Sequence, residues 1–198
     1  MTLYESITLA SASLRRSQLL EQIGVRHLVR PVDIDETARA GEPAQAYVAR
    51  LAAAKAEAAW ALDAQRPVLA ADTAVVLGAE LFGKPADLND GVRMLAALAG
   101  RTHTVLTAVA VRSAAGPGAL LSVSEVTLRS LSVAECRRYW ASGEPRGKAG
   151  GYAIQGLAAT FITRLTGSYS GVMGLPLAET AALLSAARVR LWNSEEAA

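Results

Sequence analysis

Apolar and polar positions follow two rhythms along this chain: short apolar runs bounded by breakers, which predict strands, and stripes at helical spacing. Ser6 to Ala10 reads as a first strand. The turn Ser11-Ala12-Ser13 leads into a helix from Leu14 to Ile23, closed by Gly24, the usual stop just past a last apolar residue. A second strand is expected around Leu28 to Val32, then a long alanine-rich helix from Glu42 to Leu62 with Pro43 in its first turn. The stretch from Leu69 to Pro85 begins after Pro67 as a Val- and Leu-rich run, ends at the turn signal Gly83-Lys84-Pro85, and reads as a buried strand or hairpin. Asn89 to Leu98 predicts a helix closed by Gly100, and Thr102 to Arg112 a β-type run. Ala114 to Gly118 reads as a loop and Leu120 to Arg129 as a strand. Its apolar parity shifts between Val123 and Val126, which implies a bulge or cover on both faces. Ser132-Val133-Ala134-Glu135 is a capping box opening a helix to Trp140. Ala158 to Leu165 returns to strand, Thr166 to Gly171 is a loop, and Pro176 opens a last helix to about Arg188.

Composition narrows the class. A chain of 198 residues, 52% hydrophobic and 19% charged, can bury a sizeable core and is globular. The net charge of +2 argues against a nucleic-acid binder held by bulk electrostatics, but a few placed cations suffice for a small anion. One cysteine, Cys136, excludes a disulfide framework and a thiolate zinc cluster, and two histidines give poor material for a His-based metal site. No signal peptide and no membrane-length apolar run are evident, so the cytoplasm is the expected compartment, with no membrane or nucleic-acid partner. No internal repeat or dividing linker is visible, and a single domain over 1–198 is expected.

Several polar residues stand out against this background. Asp72 and Thr73 lie inside the apolar run, where a carboxylate needs a partner; Asp72 is either a turn or cap aspartate or a functional group. Ser13, Arg15 and Arg16 sit at a helix start, where free N–H groups and the helix dipole favour an anion. A plain capping serine with two solvated arginines is the other reading. Lys55 falls four residues after Leu51 and seven before Leu62, on the apolar stripe that includes Tyr47 and Val48. Such a lysine either snorkels or serves an anion. Asp33, Asp35 and Glu36 form a solvated loop or offer oxygens to a hard cation. Four glycines between Gly147 and Gly156 let backbone approach another segment or a ligand closely, and Gln155 among them carries the donor and acceptor needed to read a base edge. Cys136 reads as packing, having no histidine placed to activate it. Neither a G-x-G-x-x-G nor a P-loop pattern occurs.

Taken in order, these segments resemble the Maf family of nucleoside triphosphate pyrophosphatases. The likeness rests on Leu9-Ala10-Ser11-Ala12-Ser13-Leu14-Arg15-Arg16, Asp35-Glu36, Ala54-Lys55-Ala56, Ala71-Asp72-Thr73, Gly83-Lys84-Pro85 and Gly100-Arg101-Thr102-His103. It continues through Lys148 to Gly156 and Tyr169 to Pro176. Leu14 departs from the family, which usually has proline there. The resemblance implies an α/β fold of the Maf and inosine-triphosphatase type: an elongated, twisted mixed sheet flanked by helices, with two lobes around a central cleft. It implies release of pyrophosphate from a nucleoside triphosphate. The Ala153-Ile154-Gln155-Gly156 segment is similar to the branch acting on dTTP and UTP, with modified pyrimidine nucleotides as further candidates. Asp72 is then the general base or metal-orienting carboxylate, with Lys55 and Lys84 as its catalytic partners. Glu36 and Asp72 would hold a divalent cation, Mg²⁺ or Mn²⁺. Ser13, Arg15, Arg16, Lys55 and Lys84 would clamp the phosphates, and Lys148, Gln155, Thr73 and Arg15 would contact or select the substrate. A homodimer is the assembly implied. The alternative function is a nucleotide-binding regulator of septum formation with little turnover.

Overall fold

In the computed structural model, which describes residues 3–192, the apolar runs become a seven-stranded mixed sheet flanked by helices. The elements follow as β1 (Ile7–Leu9), α1 (Leu14–Gln22), β2 (His27–Val29), α2 (Ala44–Leu62), β3 (Val68–Leu77), β4 (Glu80–Phe82) and α3 (Leu88–Leu98). Then come β5 (Thr102–Ser113), β6 (Gly116–Leu128), α4 (Val133–Ala141), β7 (Ile162–Thr166), α5 (Tyr169–Met173) and α6 (Leu177–Ala186). The strand order is β2-β1-β3-β5-β6-β7, with β4 hairpinned onto β3. β1 pairs in parallel with β2 and β3, and the β3–β4 and β6–β7 pairs are antiparallel. Among the described residues no helix is long and apolar enough to cross a membrane.

The chain divides into two compact units. The first holds the chain up to Asp72, Thr107–Ser122 and everything from Gly174 on; the second holds Thr73–Leu106 and Val123–Met173. In the first, β1 and the start of β3 are buried throughout, from Ile7 to Leu9 and from Val68 to Ala71. Parallel strands covered on both faces bury every position, and here only Thr8 interrupts the apolar run. α2 buries Val48, Leu51, Ala52, Ala56 and Ala59. In the second unit, Phe82, Met94, Leu95, Leu98, Val126, Leu128, Tyr139 and Phe161 form a core cluster. Cys136 belongs to it, 0% exposed, with its thiol pushed up by burial, and it packs without reacting.

Several expectations change. The second strand is shorter than Leu28–Val32, and the chain after Val29 is irregular. Leu62 is 79% exposed, so the predicted stripe fails at its end: Val48 and Leu51 are fully buried, and Ala52, Ala56 and Ala59 continue the buried face. The predicted 114–118 loop contracts to a turn at Ala114-Ala115. β6 keeps its alternation: Ser122, Ser124, Val126 and Leu128 face inward while Val123 is half exposed. The apparent parity shift came from buried serines, and the only irregularity in the pairing with β7 lies at Thr127/Leu128. Leu157–Phe161 forms a 3-10 helix where strand was expected. The capping box is complete, with Ser132 Oγ accepting from the Glu135 N–H and Glu135 accepting from the Ser132 N–H.

Candidate active site

Asp72 is the fifth residue of β3 and is 8% exposed, which removes the turn or cap reading. Its counter-charge comes from α2. Lys55 Nζ donates to Asp72 Oδ1 at 2.7 Å and lies 2.7 Å from Glu36 Oε1. The Lys55 and Asp72 side chains are 11% and 12% exposed, and Glu36 is 47% exposed. The ammonium therefore does not snorkel to solvent; it sits between two carboxylates. A desolvated pair of this kind persists only when well hydrogen-bonded, so one oxygen of Asp72 is fixed in place.

Glu36 reaches Lys55 because its segment is tied to α2. Tyr47 Oη donates to the Glu36 carbonyl at 3.0 Å, and Arg50 Nη2 to the Thr37 carbonyl at 3.1 Å. Arg50 also grips both oxygens of Glu42 at 2.6 and 2.7 Å, and Glu42 accepts the Arg39 N–H. The Arg50 guanidinium holds the Glu42 carboxyl down at about 2. Asp35 accepts the Thr37 N–H at 2.9 Å, a local turn contact. So the three-carboxylate loop separates by role: Glu36 faces the buried lysine, and Asp35 shapes the turn beside it.

The start of α1 adds cations. Ser13 stands at the N-cap position with extended backbone, but its side chain caps nothing. Its N–H donates instead to Ser11 Oγ at 3.2 Å. Arg16 Nη1 donates to Ser11 Oγ at 3.1 Å and its Nε to the Gly174 carbonyl at 2.7 Å. Burial pulls Arg16 down to about 10; Asp72 and Glu36 oppose this, and neighbouring Arg15 adds to it. Burial also lowers Arg15. Two arginines thus stand with Lys55, Asp72 and Glu36, and planar guanidinium donors suit phosphate oxygens.

In the second unit, Thr73 follows Asp72 along β3 and is half-buried. Gly150 N–H donates to the Gly83 carbonyl at 3.0 Å, setting the Gly83-Lys84-Pro85 turn against the turn that carries Lys148. Gly150 has φ 69°, and a Cβ there would come within 2.9 Å of Val75 Cγ2. This glycine serves close approach of another chain segment. Lys84 is exposed, and Lys148 Nζ reaches the Arg146 carbonyl at 3.5 Å. Gln155 is exposed, three residues beyond the buried Tyr152, whose hydroxyl meets His103 Nε2 at 2.8 Å. Burial lowers His103 to about 4, so it is neutral in the fold. Asp72, Lys55, Glu36 and Arg16 are thus brought together in the first unit, and Lys84 and Lys148 sit on adjoining turns of the second.

Residues 6–187 match the family described as Maf-like protein. The chain belongs to the Maf family. It is 51% identical to the dTTP/UTP pyrophosphatase of Cupriavidus pinatubonensis, over 95% of this chain and 100% of that one. It is 52% identical to the dTTP/UTP pyrophosphatase of Chromobacterium violaceum, over 90% and 93% of the two chains. With the dTTP/UTP pyrophosphatase of Cereibacter sphaeroides it shares 52% identity over 96% and 98%. Among solved structures, the Staphylococcus aureus Ham1 protein gives a TM-score of 0.47 at 12% identity, covering 91% of this chain and 96% of that one.

Periodicity did not single out every residue that builds this Maf site. Arg50 and Glu42 are eight positions apart and shape the Glu36 segment, and only an opposite-charge pair near a helix start hinted at them. Tyr47 was read as core, yet its hydroxyl holds the Glu36 backbone. Among the described residues no group of three or more His, Cys, Asp or Glu is arranged to hold a metal. Glu36 and Asp72 each give one oxygen to the Lys55 ammonium, so a divalent cation would have to take their other oxygens, completing its shell with water and phosphate oxygens.

Proposed function

We propose that this Maf protein hydrolyses dTTP and UTP, and modified pyrimidine nucleotides of the same edge chemistry, to the monophosphate and pyrophosphate. The observation that carries the reading is the buried Asp72–Lys55–Glu36 constellation with Arg16 and Arg15 beside it. The activity named for three relatives about half identical over nearly the whole chain supports it.

In the proposed reaction, a water oxygen bonds to the α-phosphorus and the bond from that phosphorus to the α–β bridging oxygen breaks. Pyrophosphate leaves, and the water proton passes to Asp72 acting as general base. Lys55 holds Asp72 Oδ1 and so fixes the direction of the other oxygen. Arg15 and Arg16 take phosphate oxygens in planar contacts, with Ser13 N-terminal to them, and Lys84 supplies point charge. Glu36 and Asp72 would hold the divalent cation, which when bound neutralises phosphate charge and polarises the reacting phosphoryl group. For the base, the proposal assigns Gln155 to the acceptor–donor–acceptor edge of uracil and thymine, with Thr73, Arg15 and Lys148 as further substrate contacts. The homodimer and the cytoplasm belong to the same proposal.

Incubation with a panel of nucleotides and Mg²⁺ or Mn²⁺, followed by pyrophosphate detection, tests it. UTP and dTTP should lead, CTP should follow because N3 and C4 reverse their polarity, and purines should be poorest. Tight nucleotide binding with no pyrophosphate would transfer the protein to the regulator reading.

A further inference from the structure

The turn that presents Gln155 is held by a network that the reaction itself does not use. Glu144, just beyond α4, turns its carboxylate towards residues 13 and 14 positions further on. Its Oε1 accepts the Tyr139 hydroxyl at 2.6 Å and the Ala158 N–H at 3.2 Å; its Oε2 accepts the Leu157 N–H at 2.9 Å. The Tyr139 oxygen in turn accepts the Ala153 N–H at 3.1 Å. Gly156 lies so close that a Cβ there would run into the Glu144 carboxylate. Gln155 therefore sits on a short backbone arc gripped at Ala153 on one side and at Leu157 and Ala158 on the other. Burial works against the Glu144 charge, but the Tyr139 hydroxyl, the two N–H groups and nearby Lys148 outweigh it and hold the carboxyl below its ordinary range. The same carboxylate is thereby coupled to Lys148, another residue assigned to the substrate.

We propose that Glu144, acting with Tyr139, is a positioning residue for base choice: it fixes the arc that carries Gln155 and so sets the preference for UTP over CTP. The proposal rests on the reading of Gln155 given above. Carboxylates suit this task because two oxygens take three donors at once, and hydrogen bonds to a charged acceptor are the strong ones. An amide at the same place keeps one acceptor oxygen and turns an NH₂ group towards a donor.

The test compares kcat/KM for UTP and CTP in the wild type, Glu144→Gln, Gln155→Ala and the double variant. Glu144→Gln should lower the UTP/CTP ratio about tenfold, the scale of one lost hydrogen bond to a charged group. The double variant should be no less selective than Gln155→Ala alone, because both changes act through one side chain. Tyr139→Phe, which keeps the ring packing and removes only the hydroxyl, should move the ratio the same way by less. Amide hydrogen exchange at Leu157 and Ala158 should quicken in Glu144→Gln at unchanged protection of α3. An unchanged UTP/CTP ratio in both Glu144→Gln and Tyr139→Phe, whatever the loss of rate, overturns the proposal, as does unchanged exchange at the two amides. A ratio that collapses in Gln155→Ala but not in Glu144→Gln defeats this inference alone. One that stays fixed in Gln155→Ala defeats the base-reading role beneath it.

Discussion

Asp72→Asn isolates the proposed base with little change of shape. The amide oxygen can still accept from Lys55 Nζ, now 2.7 Å from Oδ1, and the ammonium keeps Glu36 at 2.7 Å as a charged partner. No buried charge is orphaned, so the stability cost should be about 1 kcal/mol, the net worth of one weakened hydrogen bond. That is well short of the roughly 3–5 kcal/mol seen when a buried ion pair loses one member. Arg16, at about 10 with Asp72 opposing the effect of burial, loses that carboxylate, and a guanidinium stays a cation in a protein. The cluster thus grows more positive, which offsets the carboxylate lost to the divalent cation, so at saturating Mg²⁺ triphosphate binding should hold. Turnover should fall. Loss of a general base costs roughly 10²–10⁴ in rate, equivalent to about 3–5 kcal/mol of transition-state stabilisation. Steady-state kinetics on UTP should therefore show a steep fall in kcat with KM unchanged. Near wild-type kcat, or a rise in KM alone, would refute the role given to Asp72.

Three other outcomes follow from the same geometry. His103 is held neutral, its folded value of about 4 below the ordinary 6.5, so stability should be full above pH 6.5 and fall as pH drops towards 4. Melting curves of His103→Gln should lose that slope, and an identical slope would point to another group. Ser132→Ala removes the Oγ half of the α4 capping box, leaves the Ser132 N–H donating to Glu135, and should cost about 1 kcal/mol, a fall in Tm of a few degrees with kinetics intact. Gly150→Ala demands positive φ of an alanine and drives its methyl into Val75, so chemical denaturation should show a loss of about 1–3 kcal/mol; a stable variant would show that the turn shifts freely.

Much of this molecule can be read from its residues, and the limits have physical causes. The order of elements follows from breakers and caps, which are local: Gly24, Gly100 and the Ser132–Glu135 box each mark an end within a few residues. Lys55 was legible because a charge on an apolar stripe is a local anomaly, and Asp72 because it interrupts an apolar run. Their association with Glu36 came from the family resemblance alone, since nothing in the spacing says which loop folds onto α2. β6 misled for the same reason: Ser124 can face inward because it accepts the Ser168 N–H at 2.9 Å from far along the chain. Leu62 misled because stripe logic counts large residues to the helix end, whereas α2 packs through Val48 and Leu51 and then through Ala52, Ala56 and Ala59. The Glu144 carboxylate under the Gln155 turn depends on contacts 13 and 14 residues apart that no motif spells out.

In the proposed reaction water attacks the α-phosphorus in the Asp72–Lys55–Glu36 site. Turnover of UTP in ¹⁸O-labelled water, with Mg²⁺ or Mn²⁺ present and both products weighed by mass spectrometry, tests it most directly. Each UMP should carry one ¹⁸O, the pyrophosphate should be unlabelled, and Asp72→Asn should yield neither product. Label in the pyrophosphate, orthophosphate as the leaving product, or full turnover by Asp72→Asn would contradict it.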